Sequence, residues 1–279
     1  MGKKQSAIVA RLPVPIARRL RAVKRELAHR NWIEEAEVIA SLASTRVDTP
    51  RSVLVDVGAH FGTVTAEFLK LGWSVIAYEP DPSNRKEFER RIGDDPRVQL
   101  STSGVSDKPA EHVSLFTSPV STGVSTLSPF HDSHEATAHV DLVTLAEDLR
   151  ARQVQNVDFL KVDIEGFDFF ALKGFDWSYN PRFVLYEFED RKTVPLGYAL
   201  ADSSAYLQGL GYHVVYSVWE PIVEYGTAHR WRGLYTTPPP DVAQCWGNVL
   251  GFRDQADVSR CLRQYSSLPR RVLGSLRRG

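Results

Sequence analysis

The stretch Asp56-Val-Gly58-Ala59-His60-Phe-Gly62 closes an apolar run, and Glu79 follows 21 positions after Gly58. Glycines at a strand end lack the Cβ that would hold a ligand away from the backbone. An acid at the end of the next strand can accept both hydroxyls of a ribose. The two features together point to a nucleoside ligand. The Gly-x-x-x-Gly spacing lacks the middle glycine of the dinucleotide fingerprint, which argues against a pyrophosphate on the following helix. Pro80-Asp81-Pro82 offers a stiff wall for a base.

A second group of reactive residues lies in "FLKVDIEG". Side chains alternate along a strand, so Lys161 and Asp163 share a face. Asp163 and Glu165 then emerge at the strand end, and Glu187, Glu189 and Asp190 end the strand after it. Asp163, Glu165 and Glu187 are the candidate catalytic residues. Three chemistries suit them: chelation of Mg²⁺ by hard oxygens, removal of a hydroxyl proton by one carboxylate, or orientation of the ligand's amino group and of sugar hydroxyls. An acidic rim with Lys161 neutralising one member is the plain alternative. "FHDSHEATAH" is rich in histidine but has neither cysteines nor a His-Glu-x-x-His pattern, which argues against zinc. It reads as a mobile loop over the site, with "STGVSTL" beneath it. Tyr186, Phe188, Trp219, Tyr225 and Trp231 read mostly as core.

These residues need strands to carry them. "SVLVDVG", "WSVIAYEPD", "VDFLKVDIEG" and "RFVLYEFED" are apolar runs, as expected of strands covered on both faces. Helical patterns separate them, including "TVTAEFLKLG", "PSNRKEFERRIG" (capped by Ser83 or Asn84) and "LVTLAEDLRARQ". Such alternation implies a mostly parallel sheet with helices on both faces. "YHVVYSVWE" and "GNVLGFRD" suggest an antiparallel pair at one edge, joined by an irregular loop containing "TTPPP". "PIARRLRAVKREL" and "IEEAEVIASLAS" read as helices of an N-terminal extension over 1–50. The main domain then runs over 51–254, and a basic tail over 255–279.

At 279 residues and 43% apolar content, a sizeable core can be buried. The formal net charge is zero but uneven. Residues 1–30 carry nine Lys and Arg against Glu26 alone, and residues 253–279 carry seven Arg against two Asp, so the middle is acidic. An acidic body argues against nucleic acid and suits a bound cation. The basic ends suit an anionic lipid or glycolipid surface. Cys245 and Cys261 are too few for a disulfide framework. With no signal-like or membrane-spanning run, the expectation is a cytoplasmic protein.

"VDVGAHFG", "YEPDP", "SGVSD", "STGVSTL", "VTLAEDL" and "FLKVDIEGFDFFALKG" together resemble the FkbM-type S-adenosylmethionine-dependent methyltransferases over roughly residues 50–190. "LKVDIEG" is the most specific part. One departure is His60, where the family commonly has Asn. The resemblance implies a Rossmann-like class I methyltransferase fold and S-adenosyl-L-methionine as cofactor. Asp56, Gly58 and Gly62 would surround its methionine part, with Ala59 and His60 between them. Glu79 would hold the ribose beside Pro80 and Asp81. Ser103, Gly104, Val105 and Ser106 would flank the adenine, and Asp163 would face both cofactor and acceptor. The implied reaction is O-methylation of a sugar, glycolipid or natural product. A non-catalytic nucleoside-binding module and an NAD-dependent oxidoreductase are the competing classes.

Overall fold

The computed structural model describes residues 34–44, 52–119, 122–222 and 229–266. The expected helix over 15–27, the clusters Arg18–Arg25 and Arg270–Arg278, and Tyr225 lie outside these residues. The described elements in chain order begin with α1 (Glu35–Ala43), β1 (Val53–Val57), α2 (Thr63–Lys70), β2 (Ser74–Tyr78), α3 (Pro82–Ile92) and β3 (Val98–Ser101). They continue with β4 (Gly104–Val105), β5 (Ala110–Thr117), β6 (Glu135–Val143), α4 (Leu145–Ala151), β7 (Phe159–Val162) and α5 (Asp168–Lys173). They end with β8 (Phe183–Phe188), α6 (Asp190–Thr193), α7 (Leu200–Gly209), β9 (His213–Trp219), β10 (Trp231–Tyr235), β11 (Trp246–Phe252) and α8 (Gln255–Ser266).

Eight strands form one sheet in the order β10-β9-β11-β8-β7-β1-β2-β3. The pairs from β3 through β8 are parallel, and β11 runs antiparallel to both β8 and β9. This is the Rossmann-like class I methyltransferase arrangement expected from the sequence. Strand alternation divides the core. Val55 and Val57 join α4, α5 and α7 on one face through Leu149, Leu172 and Leu207. Leu54 joins α1, α2, α3 and α8 on the other through Ile39, Phe68, Phe88 and Cys261. The strand order switches at β1: β2 lies to one side and β7 to the other. A crevice opens at the carboxyl ends of strands at such a switch point, and ligands bind there in this class of sheet.

The expected antiparallel pair forms between β9 and β11 beside β8, with β10 added outside it at the edge, and three other expectations are corrected. β10 was not read because its five residues are all half-buried and show no apolar alternation. The histidine-rich segment is not simply a loop. Residues 135–143 form β6, which joins β4 and β5 in a small separate sheet. The cap of α3 is Asp81, whose carboxylate accepts the Ser83 amide at 2.8 Å with Pro82 opening the helix. Finally, the packed body extends past both expected boundaries. α1 packs on α2, β8 and α8, and α8 occupies part of the expected tail.

One buried ion pair fixes α8. Arg182 Nε and Nη2 donate to Asp257 at 2.9 and 3.0 Å, and Asp257 is fully buried. Arg260 also donates to Asp257 at 3.1 Å, so Asp257→Ala removes charged hydrogen bonds to two arginines. It is expected to lower stability by about 1.5–3 kcal/mol, read from the urea midpoint. A loss below about 0.5 kcal/mol would place α8 outside the cooperative body.

Candidate active site

A cleft of ≈ 360 Å³ opens where β1, β2, β7 and β8 end. Gly58, Ala59 and His60 form its floor after β1, Glu79 and Pro80 one side, and Ser103, Gly104 and Val105 the far end. Asp163, Glu165 and Glu187 line the opposite end, so the structure brings these expected residues together. Asp56, Gly62 and Asp81 do not line the cleft and support it from behind.

The glycines act mainly between protein segments. Gly58 has φ +74°, and a Cβ on it would lie 1.9 Å from the Asp163 carbonyl oxygen. Its absence lets the ends of β1 and β7 meet. A Cβ on Gly62 would press the Phe88 ring at 2.8 Å, so this glycine admits the packing of α2 against α3. The expectation that Gly62 approaches a ligand therefore gives way to helix packing. Asp56 is fully buried and accepts the Thr65 hydroxyl at 2.8 Å. Its other oxygen lies 3.3 Å from the Lys161 ammonium, which also donates to the Gly58 carbonyl at 2.7 Å and lies 3.7 Å from Asp163. Burial opposes the Lys161 charge, but Asp56 and Asp163 outweigh it and raise the group above its ordinary value. The shared strand face of Lys161 and Asp163 is thus observed as an ion pair.

Glu79 is 4% exposed. One oxygen accepts the His60 amide at 2.7 Å; the other accepts the Asp81 amide at 3.0 Å and the Asn84 side chain at 3.4 Å. Burial raises its carboxyl above the usual range, and these hydrogen bonds oppose the rise. Each carboxylate oxygen has two lone pairs, so the His60-bound oxygen still has one for a ligand hydroxyl. Asn84 is 2% exposed, lines the cleft, and its Oδ1 has no hydrogen-bond partner. A buried orphan acceptor is costly unless a ligand donor meets it. Burial, then Lys161, lowers the His60 imidazole below its ordinary value, and its ring contacts the Thr122 hydroxyl at 3.2 Å.

The turn Asp163-Ile-Glu-Gly166 holds Glu165 at φ +55°, a left-handed conformation uncommon for a residue with a side chain. Three groups secure it. Thr126 donates to the Glu165 carbonyl at 3.1 Å, and Tyr198 donates to the Gly166 carbonyl at 2.7 Å. Asp168 accepts the Gly166 amide at 3.1 Å. Strain secured this firmly is a common mark of a working site.

Asp163, Glu165 and Glu187 place oxygens within 4.8 Å of one another. The ammonium of Lys192 already fills much of this acidic end, 2.5 Å from Glu165, 3.2 Å from Glu187 and 2.8 Å from Glu189. A divalent cation there would face a buried ammonium, so the donor set does not fit Mg²⁺. Asp190 accepts the Leu200 amide at 2.7 Å and is structural. The histidines do not converge: His112 stacks on His139, while His134 takes part in a local turn with His131.

Sequence reasoning missed several lining residues. Glu34 and Glu35 come from the start of α1, and Trp246 and Asn248 from β11. Asn248 stands opposite Glu187 in the β8–β11 register. No local motif marks these, because each reaches the cleft from a distant part of the chain. Lys192 follows Glu187 by five residues, but its one-turn helix has no periodicity to betray it.

One relative is the ribosomal RNA small subunit methyltransferase A of Thermotoga maritima, 44% identical over 52 residues, which is 19% of each chain. The Thermotoga petrophila protein of the same name is equally similar over 19% of this chain and 20% of its own. The chain thus spans about a fifth of the length of these relatives. Among solved structures, a precorrin-6y C5,15-methyltransferase from Geobacter metallireducens aligns with TM-score 0.40 and 10% identity, over 81% of this chain and 92% of its own. An rRNA methylase from Streptococcus thermophilus aligns with TM-score 0.38 and 12% identity, over 79% and 94%. The family described as "Methyltransferase FkbM domain" matches residues 56–214, more than half of the chain and the whole span from Asp56 through Glu187. The chain belongs to the FkbM methyltransferase family.

Proposed function

We propose that the protein is an S-adenosylmethionine-dependent methyltransferase that methylates a hydroxyl oxygen of a neutral acceptor such as a sugar or natural product. The observation that carries this reading is Glu79. It is a buried carboxylate, aimed by two backbone amides, with a lone pair free to hold a ribose hydroxyl. The orphan oxygen of Asn84 supplies a further acceptor beside it. Ser103, Gly104 and Val105 would flank the base across from Pro80. When bound, the cofactor supplies an electrophilic methyl group on a sulfonium. Carboxylates beside Asp163 favour that positive charge.

The acceptor would lie over β7 and β8, where Asp163, Glu165 and Glu187 converge. In-line displacement at a methyl group asks the protein mainly for positioning and for removal of the hydroxyl proton. Asp163 is half exposed and suits orientation of the acceptor; its carboxylate is steadied by Lys161. Among the described residues, the cleft wall carries Glu34, Glu35, Glu79, Asp163, Glu165 and Glu187 against the ammonium of Lys161. Even with Lys192 behind Glu165 and Glu187, carboxyl groups outnumber ammonium groups there, which disfavours phosphate-rich acceptors such as nucleic acid and supports a neutral one. Among the described residues, no helix is long and apolar enough to cross a membrane.

The test is methyl transfer from isotopically labelled S-adenosylmethionine to panels of sugars and glycosides, with RNA and amines as comparison panels. Label is expected in a hydroxyl-bearing product, and label in RNA or amines alone would overturn the acceptor class. EDTA is expected to leave turnover unchanged, because Lys192 occupies the acidic end. Loss of activity in EDTA with recovery in Mg²⁺ would contradict that assignment.

A further inference from the structure

Lys192 is the buried charge that no motif selects. Its side chain is 2% exposed and is closed over by the Phe130 ring at 4.9 Å. Its ammonium bridges the strand ends of β7 and β8 through Glu165 and Glu187, both of which line the cleft, and it also binds Glu189. One cation thus serves three carboxylates in a site shielded from water. Its hydrogen bonds to Glu165 and Glu187 fix the positions of those two carboxylates, while the Glu189 contact is an ion pair without a hydrogen bond.

We propose that Glu165, Glu187 and Lys192 form one proton-accepting unit, in which Glu187 takes the acceptor's hydroxyl proton and Lys192 is the positioning residue that keeps the carboxylate pair able to receive it. The inference rests on the methyltransferase reading above. The step balances as follows. The hydroxyl oxygen forms a bond to the methyl carbon as the carbon–sulfur bond breaks, and that bonding pair stays on sulfur as a neutral thioether. The hydroxyl proton passes to a Glu187 oxygen.

The electrostatics follow from the contacts. Three carboxylates and one ammonium leave an excess of negative charge that cannot stay fully ionised when buried. Burial pushes the Glu165 carboxyl up to about 7, with Lys192 opposing the rise. Burial and then the Glu165 charge push Glu187 well above its usual range. Burial thus makes the pair hold a proton more tightly than ordinary carboxylates do. The other charged groups facing the pair are accounted for. On the β7 side, Asp163 is paired with Lys161. On α5, Asp168 is buried and pushed well above the carboxylate range by burial and by Glu187. Tyr198 is neutral, its phenol raised by burial. Near Glu189, Arg191 lies 2.8 Å away, and burial lowers the His229 imidazole. Lys192 is therefore the cation that directly opposes proton retention by Glu165 and Glu187.

The experiment is a pH titration of the full chain labelled with ¹³Cδ-glutamate, read by NMR, in wild type, Lys192→Gln, Lys192→Arg, Glu165→Gln and Glu187→Gln. Wild type is expected to show a glutamate carboxyl that keeps its proton above pH 6 and disappears in Glu187→Gln or Glu165→Gln. Lys192→Gln should raise its midpoint by at least about one unit, a tenfold tighter proton. Lys192→Arg should restore the wild-type midpoint to within half that shift. All glutamates titrating in the ordinary range, or a midpoint unmoved in Lys192→Gln, would overturn the proposal and leave Lys192 a structural tether. If Lys192→Gln does not fold, the two glutamine variants decide. Each should lower the remaining partner's midpoint by about a unit through loss of the like charge, and no change in either would overturn the pair. Calorimetry with S-adenosylhomocysteine is run in parallel. Its failure alone would reject the cofactor reading while leaving the titration result standing.

Discussion

Gly58→Ala is expected to be the most damaging single-methyl change in the described fold's site. Two costs combine at this position. The backbone sits at φ +74°, which a side chain tolerates only at about 1–2 kcal/mol. The added Cβ would also lie 1.9 Å from the Asp163 carbonyl oxygen, a backbone atom that cannot swing aside. Overpacking of this kind adds about 1–3 kcal/mol, so the total loss is about 2–5 kcal/mol. Gly72→Ala is the matched control. Its φ is +82°, yet nothing lies within 4 Å of the added Cβ. It should show the conformational cost alone. Urea midpoints of the two variants would separate the terms, and equal losses would show that the β1–β7 contact does not matter. Gly58→Ala should also weaken cofactor binding, because spreading β1 from β7 moves Asp163 and the cleft floor together.

The second large effect is expected at Glu79. Glu79→Ala removes the ribose acceptor and also strands the His60 and Asp81 amides that it receives. Loss of a charged hydrogen-bonding group costs about 1.5–3 kcal/mol, which is roughly tenfold to a hundredfold in affinity. Glu79→Gln keeps most of the shape and one oxygen acceptor, and should lose less. Calorimetry with S-adenosylhomocysteine, alongside thermal unfolding of each variant, distinguishes a binding defect from a folding one. Affinity unchanged in Glu79→Ala would reject the ribose role even if the family assignment stands.

Legibility in the sequence followed locality. β1, its glycine turn and Glu79 lie in one short strand-helix-strand passage, so spacing alone marked them. The Asp163–Gly166 turn was readable for the same reason, although not the left-handed Glu165 or the Thr126, Tyr198 and Asp168 contacts that hold it. Contributions from far along the chain were not readable. Glu34 and Glu35 arrive on α1 because Ile39 and Leu42 bury that helix against the sheet. Trp246 and Asn248 arrive because β11 inserts between β8 and β9. β6 was hidden because its residues are largely exposed at the start of the strand, where polar side chains obscure the two-residue period. The role of Gly62 was misread because a glycine needed for helix packing and one needed for a ligand look the same in sequence.

The family match covers 56–214, whereas Glu34, Glu35, Trp246 and Asn248 line the same cleft from outside it.

The central claim is that the cleft over Gly58 and Glu79 holds S-adenosylmethionine. Isothermal titration of the full chain with S-adenosylmethionine, S-adenosylhomocysteine and NAD tests it most directly. The account predicts saturable binding of the first two at one site per chain, weakened in Glu79→Ala, and none of NAD. Binding of NAD, or no binding of either S-adenosyl ligand by the folded chain, would contradict it.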